Sequence, residues 1–385
     1  MELHIDAERL LEDFRALHAM PEPGFHEYRT TEYLRKRLAE EGFELLPLTE
    51  TGALALADSG LPGPSYALRA DIDALSFLDA EGKTYYKHAC GHDSHAAMLL
   101  AAGIALKKAG IPRRGRLYLL FQPAEETLQG AAAVLKAGLP PLDGMIGMHI
   151  RPEYELAEGK AAPELRHGAA LPTNVRFTGK GAHGARPFLG RNALSAAALA
   201  VTMVDALAKG SEEYGLPEAD HSASEGRAME LPWSAKATVC STPGGVHNLI
   251  PERVELTFDL RAKDNVLVAA LTTAVDDICA KAASRFGCEA EISRLKGYAA
   301  DYDPALSAVC EEAIREVFGE TSPSFSTVGS EDFHIYHAEG GIPTAYMALG
   351  SDLKPGLHAR DMSFSPSCLP AGAELFYRAA EKLLG

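Results

Sequence analysis

The sequence predicts an α/β protein with a mainly parallel sheet in its larger domain and a smaller α+β domain inserted into that domain. Short apolar segments alternate with helical segments over the first 150 residues, a pattern typical of parallel strands covered by helices on both faces. From about residue 171 the order becomes strand, helix, strand, strand, helix, strand, which is the ferredoxin-like order. The 385 residues also exceed what one ordinary hydrophobic core organises.

The elements of the larger domain follow from hydrophobic periodicity and from Gly and Pro breaks. The predicted helices cover 6–20, 28–42, 96–109 and 130–138, and the predicted strands cover 66–70, 116–121 and 144–148. Asp93 or Ser94 is the expected N-cap of the helix over 96–109. In the inserted domain we expect strands at 173–178, 235–240, 253–261 and 288–294, with helices at 192–209 and 265–286. The larger domain resumes near 297, with a helix over 303–318, a strand over 342–349 and a helix over 369–384.

Composition and charge exclude several classes of function. A formal net charge of -16 without a dense basic patch argues against nucleic acid and against an anionic membrane surface as partners. No apolar run approaches the roughly 18 residues that span a bilayer, and the acidic first 16 residues do not resemble a signal peptide. The six cysteines are dilute and show no paired spacing. We therefore expect a cytoplasmic protein in which Cys90 is a free thiol.

The stretch His88–His95 contains three imidazoles, a thiol and a carboxylate, and it opens an apolar helix. Thiolate and imidazole are the ligands that zinc and similar divalent metals prefer. Taken alone, the stretch is more typical of a buried cysteine beside a capping aspartate and partly exposed histidines than of a metal site.

Other polar residues follow the predicted strands. Asp71, the Glu125–Glu126 pair and His149 each come directly after an apolar strand, and ligands of open α/β sheets bind at the carboxyl ends of strands. One glutamate of the pair could bind a metal while the other acts as general base, although such pairs are also common on solvated surfaces. The candidate ligands for two adjacent metals are Cys90, His92, Glu126, His149 and His358.

Seven segments, in this order, resemble the M20 metallopeptidase and aminoacylase family, in particular its branch of amino-acid-conjugate amidohydrolases. The segments are Arg69–Leu75, His88–Asp93, Phe121–Glu126, Gly147–His149, Gly179–His183, Gly244–Pro251 and Gly329–Phe333. The resemblance implies a zinc-peptidase-like catalytic domain over 1–170 and 297–385, and a lid and dimerisation domain over 171–296. It also implies that Cys90 bridges two metals, that His92, Glu126, His149 and His358 complete the ligand set, and that Glu125 is the general base.

Further roles are implied for three residues of the inserted domain. The resemblance implies that His183 reaches the active site of a neighbouring subunit and holds the scissile carbonyl oxygen, and that Asn248 and Arg261 receive the substrate carboxylate. A guanidinium suits that task because it binds a carboxylate with two parallel hydrogen bonds, but Arg261 could instead form a surface ion pair with Asp259. Asp71 is expected to support the metal ligands without binding metal itself.

Some positions depart from the family pattern. His247 stands where relatives more often have a small residue, and Lys87 stands where many have Met. The segment 210–234, with His221, Glu225 and Trp233, is longer and more irregular than expected. For Trp233 we favour structural packing over contact with substrate or with a second subunit.

The sequence thus predicts a dinuclear amidohydrolase that cleaves the amide bond of N-acyl amino acids or related conjugates, using a metal-bridging hydroxide activated by Glu125. Zinc or manganese is the expected metal, with cobalt and nickel as alternatives, and a homodimer is the expected assembly. The alternative functions are a dipeptidase or carboxypeptidase on the same scaffold, a cysteine hydrolase with Cys90 as nucleophile and His92 or His95 as base, and a metal sensor without activity. The sequence leaves the acyl group and the amino acid open.

Overall fold

The computed structural model describes residues 5–219, 231–327 and 329–385. These residues form two compact units. The first contains the chain up to Arg166 together with Asp301–Phe325 and Asp332–Gly385, and the second contains His167–Ala300 and Ser326–Glu331. The expectations for His221 and Glu225 lie outside the described residues.

The helices are α1 (Ala7–His18), α2 (Tyr28–Glu40), α3 (His92–Lys108), α4 (Gly130–Ala137), α5 (Ala193–Ala206), α6 (Asn265–Arg285), α7 (Pro304–Phe318), α8 (His334–Ala338) and α9 (Leu369–Leu384). The first strands are β1 (Glu44–Leu46), β2 (Ala53–Asp58), β3 (Ser65–Asp71), β4 (Leu75–Leu78), β5 (Thr84–Lys87), β6 (Arg116–Gln122), β7 (Gly144–Pro152) and β8 (Ala161–Ala162). They are followed by β9 (Leu165–His167), β10 (Ala169–Thr178), β11 (Ala182–His183), β12 (Trp233–Ser241), β13 (Leu249–Ile250), β14 (Arg253–Ala262), β15 (Glu289–Arg294), β16 (Phe325–Thr327) and β17 (Thr344–Leu353).

The first unit is built on a seven-stranded sheet in the order β1-β2-β6-β3-β7-β17-β8. Its central strands β6, β3, β7 and β17 are parallel, whereas the pairs β1–β2, β2–β6 and β17–β8 are antiparallel. The sheet is therefore mixed, with the predicted parallel arrangement confined to its centre. The flank departs from the prediction because β1 and β2 are joined by a short connection, which suits antiparallel strands, while parallel strands need a long crossover.

Helix α3 begins earlier than the sequence predicts, and the predicted N-caps are wrong. The N-cap is Gly91, in the left-handed conformation with φ +89°. A Cβ atom at this position would lie 2.4 Å from Cδ1 of Ile150, so the start of the helix needs glycine for both conformation and space. Asp93 and Ser94 lie inside the first turn, where the Asp93 carboxylate accepts the Ser94 N–H.

The second unit contains a four-stranded antiparallel sheet in the order β12-β14-β10-β15. Its chain order β10, α5, β12, β14, α6, β15 is the ferredoxin-like order that the sequence predicts. Alternate residues of β14 are buried because α5 and α6 pack on the sheet. Trp233 is only 2% exposed and its indole N–H donates to the carbonyl of Pro217 at 2.9 Å, which confirms its packing role.

Within the described part of the chain, no helix combines the length and the apolar character needed to cross a membrane.

Candidate active site

Polar residues converge at the carboxyl ends of the central strands of the first unit. Strand β3 ends at Asp71 and is followed by Asp73, while the segment after β6 carries Glu125 and β7 carries His149. Helix α3 begins at the same edge with His92. Because β6, β3 and β7 are parallel neighbours, their carboxyl ends meet at one edge of the sheet, the usual location of a ligand site in such folds.

All five predicted metal ligands meet at this edge. Ligand atoms of Cys90, His92 and His149 lie within 4.8 Å of one another, as do those of Cys90, Glu126 and His358. The Cys90 Sγ lies 3.3 Å from Nε2 of His149, and Oε1 of Glu126 lies 3.8 Å from Nε2 of His92 and 3.6 Å from Nε2 of His358. Cys90 belongs to both groups, so its sulfur is located where two ions could share it.

Among the five candidate ligands, His92 and His149 are buried histidines, and both direct Nε2 toward the cluster. Nδ1 of His92 donates to the Asp73 carboxylate at 3.1 Å, and Nδ1 of His149 donates to the carbonyl of Ile150 at 2.5 Å. Such partners set the tautomer of a metal-binding imidazole. Nε2 of His92 and Oε1 of Glu126 are buried and have no hydrogen-bond partner among the described residues. A divalent cation would satisfy both atoms, so the donor set fits a metal site.

Asp73 organises the site, although the sequence did not single it out for a role. Besides His92, its carboxylate accepts the backbone N–H groups of Glu125 at 3.1 Å and of Glu126 at 3.0 Å. Asp73 therefore fixes a candidate ligand and the backbone of both glutamates together. The available signal was the Asp-Ile-Asp sequence at the end of β3, which does not tell which aspartate has this role.

Asp71 and His95 form a second buried pair behind the cluster. Nδ1 of His95 donates to Asp71 at 2.6 Å, and Nε2 of His95 accepts the N–H of Ile150 at 3.0 Å. Both ring nitrogens of His95 are thus engaged, which argues against His95 as a base for Cys90. Asp71 also accepts from Arg69 at 2.8 Å, so it links a buried guanidinium to the segment that carries the candidate ligands.

Burial and local charge set the protonation of the cluster. Burial, reinforced by the negative charge of Glu126, raises the pKa of Cys90 well above its ordinary value. Burial also raises the pKa of Glu126 to about 7 and lowers the pKa of His149, which keeps that imidazole in the neutral form that binds metals. Burial opposes the charged form of His92 as well, but the negative charge of Asp71 and other neighbours outweighs it and raises the pKa of His92.

The loop that carries His358 is anchored to the segment before the cysteine motif. The backbone of His358 is left-handed, with φ +64°, and its N–H donates to the carbonyl of Ala89 at 2.7 Å. Nζ of Lys87 donates to the carbonyls of Arg360 at 2.8 Å and Met362 at 3.2 Å. Lys87, noted as a departure from the family pattern, therefore ties this loop to β5.

The predicted substrate-contacting residues lie in the second unit. His183 in β11 pairs with Leu249 in β13, and the N–H of Gly184 donates to the carbonyl of Asn248 at 2.8 Å. His183 and Asn248 are therefore neighbours, and both are exposed. His247 is exposed beside them in the same loop.

Arg261 lies at the opposite end of the four-stranded sheet from the two-stranded ribbon formed by β11 and β13. It is eight residues along β14 from Arg253, which corresponds to roughly 26 Å in an extended strand. The other end of β14 is at Arg253, which pairs with Thr178 of β10. The ribbon of β11 and β13, which Asn248 directly precedes, lies beyond that end. Arg261 forms an ion pair with Asp259 at 2.8 Å, the alternative considered from the sequence. Asn248 and Arg261 of one chain are therefore not brought together.

Comparisons with known proteins extend over most of the chain. Residues 67–382 match the family described as Peptidase family M20/M25/M40. The chain is 29% identical over 385 residues to N-acetyl-L-cysteine deacetylase of Bacillus subtilis (strain 168), covering 96% of this chain and 87% of the relative. It is 27% identical over 382 residues to N-acetyldiaminopimelate deacetylase of Listeria innocua serovar 6a, covering 95% and 97%. A solved dinuclear metal-binding peptidase of the M20 family from Bacillus subtilis covers 98% of both chains, with a TM-score of 0.77 and 24% identity, which shows the shared fold.

Proposed function

The chain belongs to peptidase family M20/M25/M40 and is a metal-dependent amidohydrolase, and from this premise we propose that it hydrolyses the amide bond of N-acyl amino acids or related conjugates. The observation that carries the proposal is the convergence of a shared cysteine, three imidazoles and two glutamates at one sheet edge. Two relatives named as deacetylases of N-acetylated amino acids support this substrate class.

We assign two divalent cations to the cluster, zinc or manganese in the first instance. Cys90 would be shared, with His92 and His149 on one side and Glu126 and His358 on the other, following the two groups of adjacent ligand atoms. When bound, such ions polarise an amide carbonyl and increase the acidity of water. The orphaned Nε2 of His92 and Oε1 of Glu126 support the assignment.

Glu125 is the residue that we assign to proton transfer. Its Oε2 lies 3.8 Å from Nε2 of His92, and its Oε1 accepts the N–H of Asp332 at 3.4 Å. The side chain is therefore held beside the candidate ligands. It would take a proton from the attacking water and deliver it to the leaving amine, a role that contributes roughly 10²–10⁴-fold in rate.

We further propose that a complete site needs two subunits. His183 and Asn248 lie at one end of the second unit and Arg261 lies at the other, roughly 26 Å or more along the strand direction. One substrate carboxylate cannot contact both Asn248 and Arg261 of the same chain. A homodimer in which the partner supplies His183 and Asn248 removes the conflict.

Exposed apolar residues of the second unit support a dimer. Phe188, Val246 and Leu249 are 81%, 56% and 44% exposed, near the ribbon that carries His183. Strand β12 is an edge of its sheet, and an unpaired edge is a ready surface for a second copy. The cytoplasmic location remains a prediction.

The first experiment is hydrolysis of a panel of N-acyl amino acids and dipeptides by chelated protein, with each divalent metal added back. Activity that is lost on chelation, returns with metal and requires a free α-carboxylate supports the proposal. Activity on dipeptides alone would favour the peptidase alternative. Activity that survives chelation but is lost on thiol alkylation would favour Cys90 as a nucleophile.

Two glutamate variants test the division of roles. Glu125→Gln should remove most turnover and keep the metal content, because only the proton carrier is lost. Glu126→Gln should lower the metal content as well, because a proposed ligand is lost. Metal analysis of both purified proteins decides the assignment, and equal metal loss in both variants would contradict it.

A mixing experiment tests the two-subunit site. Glu125→Gln and His183→Ala variants should each be inactive alone. When they are unfolded and refolded together, hybrid dimers contain one site with an intact Glu125 and an intact His183 from the partner, so activity should return. No recovery, with dimer formation verified by light scattering, would indicate that His183 does not act across subunits.

A further inference from the structure

The backbone that carries Glu125 is held in an unfavourable conformation. Glu125–Thr127 forms a single 3₁₀ turn, and the residues on either side, Ala124 and Leu128, are left-handed with φ +59° and +56°. L residues with a Cβ disfavour this conformation. The turn therefore depends on contacts from the surrounding structure.

The first amide of the turn is held by Glu27. The N–H of Ala124 donates to Oε1 of Glu27 at 2.8 Å, and both residues are fully buried. Glu27 is the residue before α2, so its backbone belongs to a stable element. The next two amides of the turn are held by Asp73. Glu27 and Asp73 together thus hold three consecutive amides, and Glu27 holds the one at the left-handed residue.

The loop before Glu27 packs against the same turn. A Cβ atom on Gly24 would lie 2.8 Å from Cγ2 of Thr127 and 3.1 Å from Cα of Ala124, so the two segments are in close contact. The carbonyl of Glu22, in the same loop, accepts the N–H of Ala74 at 2.8 Å. The loop therefore supports the segment that follows Asp73 as well as the turn.

We propose that Glu27 is a positioning residue for hydrolysis, which fixes the direction of the Glu125 carboxylate through the Ala124 amide. The proposal rests on the proposed role of Glu125 as proton carrier. Oε1 of Glu27 holds the Ala124 amide rather than a proposed metal ligand. Its loss should therefore affect turnover more than metal binding or substrate affinity.

The strength of the hydrogen bond between Glu27 and the Ala124 amide should depend on the protonation state of Glu27. Burial, with the negative charge of Asp73 added, raises the pKa of Glu27 to about 7, while hydrogen bonding by Thr51 and Ala124 favours the ionised form. Among the described residues, Asp73 is the charged group that acts most strongly on Glu27. An ionised carboxylate accepts a stronger hydrogen bond than a protonated one. The turn should therefore be held more firmly as the pH rises through about 7.

The test compares Glu27→Ala and Glu27→Gln with the wild type in the metal-loaded enzyme. Removing the acceptor in Glu27→Ala should lower kcat by about 10- to 100-fold, with KM nearly unchanged, because the reacting group is misdirected. Glu27→Gln keeps an oxygen acceptor and should retain more activity than Glu27→Ala, and its kcat should rise less steeply through pH 7 than that of the wild type because the contribution of Glu27 is lost. Metal content should remain at the wild-type level in both variants.

Asp13→Asn is the matched control. Asp13 is a buried carboxylate of the same unit that binds Arg37 and Tyr33 instead of the turn, so its loss should lower stability without changing kcat or its pH profile. If Asp13→Asn lowers kcat as much as Glu27→Ala, the effect is general destabilisation and the proposal is wrong.

Amide hydrogen exchange separates this proposal from the proposed function. Exchange at Ala124, followed by mass spectrometry, should accelerate in Glu27→Ala and not in Asp13→Asn, whether or not any substrate is hydrolysed. A wild type without hydrolase activity would refute the proposed function alone. Unchanged exchange at Ala124, or unchanged kcat despite faster exchange, would refute the role of Glu27. If Glu27→Ala does not fold, Glu27→Asp decides, because its shorter side chain withdraws the acceptor from the Ala124 amide: unchanged exchange at Ala124 or unchanged kcat in this variant overturns the proposal.

Discussion

Asp73→Asn should weaken metal binding strongly while leaving the fold intact. Oδ1 of Asp73 accepts both Nδ1–H of His92 and the N–H of Glu125, and Oδ2 accepts the N–H of Glu126. An asparagine has one acceptor oxygen, so its better orientation keeps two of these bonds and turns an NH₂ group toward the third donor. A hydrogen bond to a charged group contributes roughly 1.5–3 kcal/mol, which corresponds to about a 10- to 100-fold loss of metal affinity, the usual range for such supporting residues.

The affinity is best measured by competition with a fluorescent chelator, because this readout needs no substrate. Asp143→Asn is the control: its carboxylate accepts the N–H of Ser65 at 2.7 Å before β7 begins, at the end of that strand away from His149. The control should bind metal like the wild type. If Asp73→Asn also binds metal like the wild type, Asp73 does not orient a metal ligand, and the assignment of His92 loses one of its supports.

Three further outcomes are expected. Gly91→Ala should lower the free energy of unfolding, measured by denaturant titration, by about 2–4 kcal/mol. The reasons are that alanine disfavours the left-handed backbone at this position and that its Cβ would lie 2.4 Å from Ile150. A loss below about 1 kcal/mol would mean that the surrounding residues move to accommodate the methyl group. Lys87→Met should weaken one of the two metal-binding steps seen in calorimetry by about 2- to 10-fold, because it removes the hydrogen bonds to the loop that carries His358. Equal weakening of both steps would contradict this reason. The hydrogen bond to Asp93 raises the pKa of His18 above 6.5, so in chelated protein this pair should stabilise the fold fully below pH 6.5 and lose that contribution as the pH rises through the raised pKa. In His18→Gln the free energy of unfolding should fall less steeply with rising pH. If its pH dependence is the same as in the wild type, the pair of His18 and Asp93 does not cause the loss of stability.

Much of the candidate site could be predicted because its residues stand at the ends of strongly patterned elements. Glu125 and His149 follow or occupy strands that read as continuous apolar runs, so their common edge follows from parallel topology alone. The antiparallel strands at the edge of the sheet were harder to predict from the sequence. Strand β2, Ala53–Asp58, alternates alanine with leucine, and alanine has little preference for strands.

Residues held by distant partners could not be assigned from the sequence. His95 was a candidate base for Cys90, but Asp71 and Ile150 engage its two nitrogens, and these partners are 24 and 55 residues away along the chain. The start of α3 was missed because the apolar pattern begins only at Ala96, whereas a left-handed glycine next to β7 sets the first turn. Such facts depend on tertiary packing, which local patterns do not contain.

The environment of Cys90 favours the proposed role of a metal ligand over that of a nucleophile. A catalytic thiolate needs a lowered pKa, yet burial and the charge of Glu126 raise the pKa of Cys90, and the positive charge of His92 does not offset them. Cys90 is a buried thiol 3.3 Å from Nε2 of His149, whose pKa burial lowers. A divalent cation reverses this balance, because a coordinating thiol loses its proton. The burial that weakens Cys90 as a nucleophile therefore supports the proposed metal binding, in which the thiolate would be stabilised by the cation.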